Sequence, residues 1–214
     1  MPQATEEVPA RQARLVIYTS DNLTVEWAAM FLTGLERAYN GLLILQYAAF
    51  PNLYTVFPNF LIADWFVTMY RKSPFGVDDA SRLIQSGDRL RLGRVSSDSP
   101  GVWEFIGKLN PLETLRLALN DFREWRKDKD KDYRNDAEST RFRVENLLRQ
   151  ADVAGAWIEN LKLMGATEAE VRELMLKYVL QPLAELGASV EPIEKVELSD
   201  EDISKSAAAG GPNA

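Results

Sequence analysis

The sequence predicts an α+β fold, in which a small sheet carries helices and leads into a long charged helix and a C-terminal helical hairpin. Three observations predict this class. A short strand-like run, residues 15–19, precedes a helix with one apolar face. Two alternating runs then flank a turn-forming stretch at residues 96–101. A second helix with its own N-terminal cap follows directly. The predicted core order is strand, helix, strand, strand, helix.

The N-terminal half begins with a polar lead-in, residues 1–13, which we expect to be disordered. After the first strand, Thr24 is placed to cap the first helix. Apolar side chains recur along that helix at steps of three and four, which predicts a core-facing side, while Glu36 and Asn40 fall elsewhere. The predicted core side consists of Ala28, Phe31, Leu32, Leu35, Ala38, Tyr39, Leu42 and Leu43.

An aromatic segment covers residues 42–70 and overlaps an uncharged run from residue 38 to residue 63. Pro51 and Pro58 interrupt it, so no apolar stretch of about 20 residues remains to cross a bilayer. Three interpretations stay open: packing in the core, a surface for a partner or a second copy, and shallow insertion into a membrane interface. The side chains that would form such a surface are Phe50, Tyr54, Phe57, Phe60 and Trp65.

A hairpin occupies the centre of the chain. Leu90 and Leu92 alternate with arginines, which predicts a strand with one buried face, and Gly93 predicts a bulge in that strand. The arginines form either a basic edge or the solvated face of the strand. Trp103 and Phe105 share one face of the second strand. Too few glycines, and no following Gly-Lys-Ser/Thr, make a phosphate loop a poor interpretation of the turn.

The helix after the hairpin carries the most specific local signal. We expect Asn110 at the N-cap, Pro111 at the first helical position and Glu113 bonded back to the cap. The helix then enters a run of alternating charges at residues 123–136, which forms either a solvated helix or a frayed hinge.

A short heptad pattern follows in the C-terminal half. Its apolar positions recur at alternating steps of three and four, over less than three heptads. Such a seam packs either inside its own chain or against another helix in an oligomer. Its members, the predicted partner or oligomer interface, are Val144, Leu147, Ala151, Ala154, Ile158 and Leu161.

Local signals also mark the end of the chain. Gly165 suits the end of one helix, a capping box from Thr167 to Glu170 begins the next, and Pro182 is expected to end it. From residue 187 the chain is acidic and then rich in small residues, which predicts a disordered tail. The predicted units are an α+β core with an aromatic insertion at 14–125, a helical hairpin at 126–186 and a tail at 187–214.

The order of the first elements, the hairpin that contains Val95, Pro100, Gly101 and Phe105, and the charged helix after it resemble those of small uncharacterised bacterial α+β proteins of adaptor type. The resemblance covers residues 14–185, apart from an unmatched insertion at 48–85. It implies an adaptor role in a bacterial signalling or defence system. The motifs that carry it are structural, and the resemblance assigns no site residue.

The composition of the chain argues against several classes of function. The chain has no cysteine and no histidine, so disulfides, thiolates and the usual zinc and iron ligands are absent, and we expect no metal site and no cofactor. A net charge of −7 argues against nucleic-acid binding. Asp128, Asp130 and Asp132 lack the glycine and glutamate of a calcium loop. The N-terminus does not read as a secretory signal, which favours the cytoplasm.

Three functions remain after these exclusions. The first is a non-enzymatic scaffold or adaptor that associates with itself or with a protein partner through helical and apolar surfaces. The second is a peripheral membrane protein that uses residues 42–70. The third is an enzyme built on carboxylates, tyrosine or lysine, for which the sequence offers no catalytic residue. We favour the first hypothesis and keep the second as its alternative.

Overall fold

In the described part of the chain, four antiparallel strands form one sheet. The computed structural model describes residues 12–21, 23–49, 71–72, 76–96, 100–128, 152–163 and 165–200. The strands are β1 (Gln12–Thr19), β2 (Arg91–Ser96), β3 (Gly101–Lys108) and β4 (Ile193–Asp200). Their order across the sheet is β2-β3-β1-β4, and all three neighbouring pairs are antiparallel. The outer strands of the sheet are therefore β2 and β4.

Helices connect these strands. The described helices are α1 (Val25–Ala49), α2 (Val77–Ala80), α3 (Leu109–Asp128), α4 (Asp152–Leu163), α5 (Glu168–Met175) and α6 (Gln181–Gly187). Two short 3-10 helices follow α2, at Ser81–Leu83 and Ser86–Asp88, and a π-helical segment, Leu176–Leu180, joins α5 to α6. The predicted α+β class is confirmed. With β4 added, the core has the β-α-β-β-α-β order of the split βαβ, or ferredoxin-like, arrangement.

The helices cover one face of the sheet. Burial alternates along β1, with Leu15 and Ile17 fully buried between partly exposed neighbours. α3 packs against β1, β3 and β4. α1 reaches the same face at Gly107, where a Cβ atom would lie 2.8 Å from the ring of Tyr39. The core therefore lies between this face and the helices, and the other face of the sheet carries the partly exposed residues.

The acidic C-terminal stretch forms a strand, which corrects the expectation that residues 187–214 are disordered. α6 ends at Gly187, and residues 193–200 pair with β1 as β4. Val196 and Leu198 alternate with Lys195 and Glu197, and the two apolar side chains lie opposite Ile17 and Leu15 of β1. The density of acidic residues hid this period of two in the sequence. Residues 201–214 lie outside the described residues. The expected disorder of residues 1–13 is likewise wrong for Gln12 and Ala13, which pair with β3 as part of β1, and residues 1–11 lie outside the described residues.

β2 does not bury a face, contrary to the sequence prediction. Its residues from Arg91 to Val95 are all exposed, because the strand is at the edge of the sheet and no described helix packs extensively against it. The predicted bulge is confirmed, since the register of β2 against β3 shifts between Leu92 and Arg94, on either side of Gly93.

α1 begins as predicted. The backbone N–H of Trp27 donates to Thr24 Oγ1 at 3.1 Å, which confirms the cap, and Phe31, Leu35 and Tyr39 are fully buried. The prediction that Asn40 lies away from the core is wrong, because its exposed fraction is only 6%. α4, α6 and the π-helical segment all pack against α1, and residues 38–46 of this helix are all buried.

α3 begins two residues earlier than the predicted first helical position, Pro111. β3 ends at Lys108 and the helix starts at Leu109, so Asn110 lies inside the first turn. The Glu113 carboxylate receives two hydrogen bonds from Arg116, at 2.6 and 2.7 Å, instead of bonding to a cap. The direct strand-to-helix junction leaves no room for a separate capping residue.

The turn between α4 and α5 confirms two local predictions. Gly165 has a φ of 85°, and the amides of Gly165 and Ala166 donate to the carbonyls of Lys162 and Leu161, which is a Schellman ending. Thr167 and Glu170 form the predicted capping box. Arg71 also donates two hydrogen bonds to the Glu170 carboxylate, at 2.6 and 2.9 Å.

These contacts make the stability of the turn depend on pH. The hydrogen bonds from Arg71, with those from Thr167, lower the pKa of Glu170 from 4.5 to about 2. Because the folded state prefers the ionised form, the stabilisation is present above pH 4.5 and is lost as the pH falls towards 2. Urea midpoints should show Glu170→Gln less stable than wild type at neutral pH, with the difference closing in acid.

Glu168→Gln is the matched control, since it removes an exposed charge from the same helical turn. A difference between wild type and Glu170→Gln that is the same at pH 2 as at neutral pH would contradict this account of Glu170.

Pro182 does not end its helix, contrary to prediction. The chain passes from α5 through the π-helical segment into α6, with Pro182 in the first turn of α6. Proline lacks the N–H that a regular α-helix would donate to the carbonyl of residue 178, and the π-helical segment lies at that place. The carbonyl of Tyr178 lies against Gly41 of α1.

Candidate functional site: the exposed edge strand

The edge strand β2 presents apolar side chains to solvent. The exposed fraction is 51% for Leu92 and 47% for Val95. Both side chains point to the helix-covered face, because they lie opposite Phe105 and Trp103 of β3. An edge strand with exposed apolar residues offers backbone N–H and C=O groups and side-chain contacts to another strand.

The remaining features of β2 restrict what can pair with it. Arg91 and Arg94 point to the open face, opposite Ile106 and Glu104, and Arg89 precedes them. Charged side chains and bulges are common devices against unwanted edge pairing. The arginines repel a basic strand and favour an acidic one, so the edge is selective.

A shallow cleft of about 340 Å³ adjoins the C-terminal end of β2. Val25, Val95 and Trp103 give it an apolar lining, and Thr24 and Ser96 add hydroxyl groups. Val25 is 88% exposed, although it is a large apolar residue at the start of α1. The cleft can accept one apolar side chain from a segment that lies along β2.

A stacked pair of aromatic rings packs against Trp103, which lines this cleft. The indole of Trp27 stacks on Phe31 with ring centroids 5.0 Å apart. It also forms an edge-to-face contact with Trp103, with ring centroids 6.3 Å apart. Trp27 Nε1 also donates to the carbonyl of Ser189 at 2.8 Å. The rings therefore connect the start of α1 to β3 beside the cleft.

Ion pairs cross the open face of the sheet. Arg14 Nη1 lies 3.4 Å from Glu104 Oε2, and Tyr18 donates to Glu197 Oε2 at 3.0 Å. Lys195 pairs with the other oxygen of Glu197. The bonds from Lys195 and Tyr18 lower the pKa of Glu197, and the same contact with Glu197 raises the pKa of Tyr18. The hydrogen bond from Tyr18 thus joins β4 to β1, and the pair of Arg14 with Glu104 joins β1 to β3.

A second polar cluster, largely shielded from solvent, lies where α1 meets the end of β3. Lys108 Nζ lies 2.7 Å from Asp88 Oδ1, and Tyr47 donates to the other carboxylate oxygen. The Tyr39 hydroxyl donates to the Asp88 carbonyl and accepts from the Lys108 amide, both at 2.8 Å. The four residues satisfy one another away from solvent, which suits them to holding elements together.

The predicted heptad interface is only partly described. Leu161 is fully buried in the core of its own chain, and Ile158 packs partly buried against the same core. Val144, Leu147 and Ala151, with the side chain of Ala154, lie outside the described residues. An interface on these residues stays a prediction.

The predicted aromatic surface lies outside the described residues: Phe50, Tyr54, Phe57, Phe60 and Trp65. The beginning of the segment is described, and it belongs to the core. Leu42, Leu43 and Leu45 of α1 are fully buried. These residues are therefore unavailable to a membrane or a partner.

Comparisons with protein-family models, with curated proteins and with solved structures found no significant match to this chain. The resemblance to bacterial adaptor-type proteins stays a prediction. In the described ranges, no group of three or more acidic residues is placed to hold a metal ion. No described helix is both long enough and apolar enough to cross a membrane.

The sequence contained part of the signal for β2. Its arginines predict either a basic edge or a solvated face, and both are compatible with the structure. The exposure of Leu92 and Val95 could not be inferred, because alternation predicts a strand but not its position in the sheet.

Proposed function

We propose that this protein is a non-enzymatic scaffold or adaptor that binds a protein segment by adding it to the sheet along β2. The observation that carries the proposal is the exposure of β2 along its length, with Leu92 and Val95 half exposed at the edge of the sheet. In this mode of recognition, main-chain hydrogen bonds supply affinity and side-chain pockets supply specificity.

The neighbouring residues support the same mode of binding. The cleft beside Val95 can take one apolar side chain of the added segment. Arg91 and Arg94 favour a segment with acidic residues on the opposite face. The proposed partner is therefore a segment with apolar side chains towards the helix-covered face and acidic side chains towards the open face.

Selection of short random peptides displayed on phage tests the proposal. The wild-type protein should select extended peptides in which apolar and acidic residues alternate. The variant Leu92→Lys/Val95→Lys should not bind these peptides, because lysines on an edge strand oppose strand addition. Leu163→Lys is the matched control, since Leu163 is 82% exposed but lies in α4. Failure to enrich any peptide, or binding that survives the β2 variant, would overturn the proposal.

A further inference from the structure

The two edges of the sheet carry opposite charge. Arg89, Arg91 and Arg94 make the β2 edge basic. The β4 edge is acidic, with four acids and one lysine between residues 191 and 200: Glu191, Glu194, Glu197 and Asp200 against Lys195. Each edge repels a copy of itself and attracts the other edge.

The strand directions allow these two edges to meet. Directions alternate across β2-β3-β1-β4, so β4 runs opposite to β2. A second copy placed with its β2 beside β4 therefore continues an antiparallel sheet, and the helices of both copies stay on the same face. The backbone groups along the two edges can then pair as in any antiparallel ladder.

Three rows of side chains cross the sheet from β2 to β4, and extending each row into a second copy defines a register for such a contact. One row runs from Leu92 through Phe105 and Leu15 to Leu198. A second runs from Val95 through Trp103 and Ile17 to Val196, and the row between them runs from Arg94 through Glu104 and Val16 to Glu197. In the two outer rows the residues on β2 and β4 are both apolar, and in the middle row they have opposite charge.

We propose that copies of this chain associate head to tail, with β2 of one copy paired to β4 of the next. This inference rests on the proposed function of β2 and names its occupant as the β4 edge of a second copy. Leu92 then lies opposite Leu198 of the next copy, Val95 opposite Val196, and Arg94 opposite Glu197. The bulge at Gly93 is kept, because Leu92 and Arg94 face consecutive residues of β4, as they do in β3.

The helix layer favours the same arrangement. α3 packs against β4, whereas no described helix packs extensively against β2. The contact therefore brings the uncovered apolar side chains of β2 beside the helix-covered edge of the next copy. Since the two surfaces differ, the contact is heterologous and each copy keeps one edge free to extend an open chain.

Cysteine cross-linking tests the register, and the chain has no native cysteine to interfere. Full-length Val95→Cys and Val196→Cys are purified separately, mixed and mildly oxidised. A covalent dimer should form in the mixture and in neither variant alone. A cross-link within one chain is excluded, because β2 and β4 are three strand spacings apart, about 14 Å.

Val95→Cys mixed with Ser199→Cys is the matched control, since Ser199 lies opposite Arg14 on the other face of the sheet. Equal cross-linking in the control mixture, a Val95→Cys homodimer, or no dimer would overturn the head-to-tail contact. If Val196→Cys fails to fold, Leu92→Cys mixed with Leu198→Cys tests the same register. If the cross-link fails but wild type binds peptides that Leu92→Lys/Val95→Lys does not, the proposed function of β2 is upheld and only the head-to-tail contact is rejected.

Discussion

Replacing Gly41 with alanine is expected to lower the free energy of unfolding by about 3 kcal/mol, the upper end of the usual cost of overpacking a core. A Cβ atom on Gly41 would lie 1.8 Å from the carbonyl oxygen of Tyr178 and 2.9 Å from its carbonyl carbon. Both atoms belong to the backbone of the π-helical segment, so no side chain can rotate away. The two helical segments would have to separate in the middle of the core.

Urea denaturation of Gly41→Ala and Gly34→Ala measures this effect with a control on the same helix. The nearest atom to a Cβ on Gly34 is 3.5 Å away, which is an ordinary contact. Gly34→Ala should therefore be neutral or stabilising, because alanine is favoured over glycine in helices by about 1 kcal/mol. Similar midpoints for the two variants would show that α1 does not approach Tyr178 as described.

Replacing Lys108 with methionine is expected to cost about 3–5 kcal/mol, the range found when one partner of a buried ion pair is removed. The side chains of Lys108 and Asp88 are 14% and 11% exposed. Methionine keeps the length of the stem but leaves the Asp88 carboxylate with only the hydroxyl of Tyr47. The cluster joins α1, a 3-10 helix and the end of β3, so its loss should destabilise the packing of all three elements.

The double variant Asp88→Asn/Lys108→Met separates the ion pair from other effects. Removing both charges should recover part of the stability, because no buried charge is left without a partner. Lys162→Met is the control, since Lys162 is exposed on α4. Denaturation midpoints for Lys108→Met no lower than those for Lys162→Met would contradict the role assigned to the cluster.

Features that depend on a few neighbouring residues could be predicted from the sequence. The Schellman ending at Gly165, the capping box at Thr167 and the cap at Thr24 are all confirmed. Each depends on backbone groups within one helical turn, so residue types alone specify it. The bulge at Gly93 belongs with them, because glycine within an alternating strand is itself the signal.

Features that depend on distant partners could not be predicted. β4 pairs with β1, about 180 residues earlier in the chain, and its acidic residues concealed the alternation of Val196 and Leu198. The edge position of β2 likewise follows from the strand order, which no local pattern contains. The candidate site depends on this edge position of β2, so its exposure could be established only from the structure.

The most direct test of the central claim is the solution mass of the full chain, measured by sedimentation velocity over a series of increasing concentrations. The head-to-tail contact predicts that the mass of wild type rises with concentration without stopping at a dimer. Arg94→Glu should shift this rise to higher concentration, because it sets an acid against Glu197. Arg82→Glu, the same charge change at an exposed position outside the sheet, should behave as wild type. A wild-type chain that stays monomeric, or an Arg94→Glu chain that associates as strongly as wild type, would contradict association through β2 and β4.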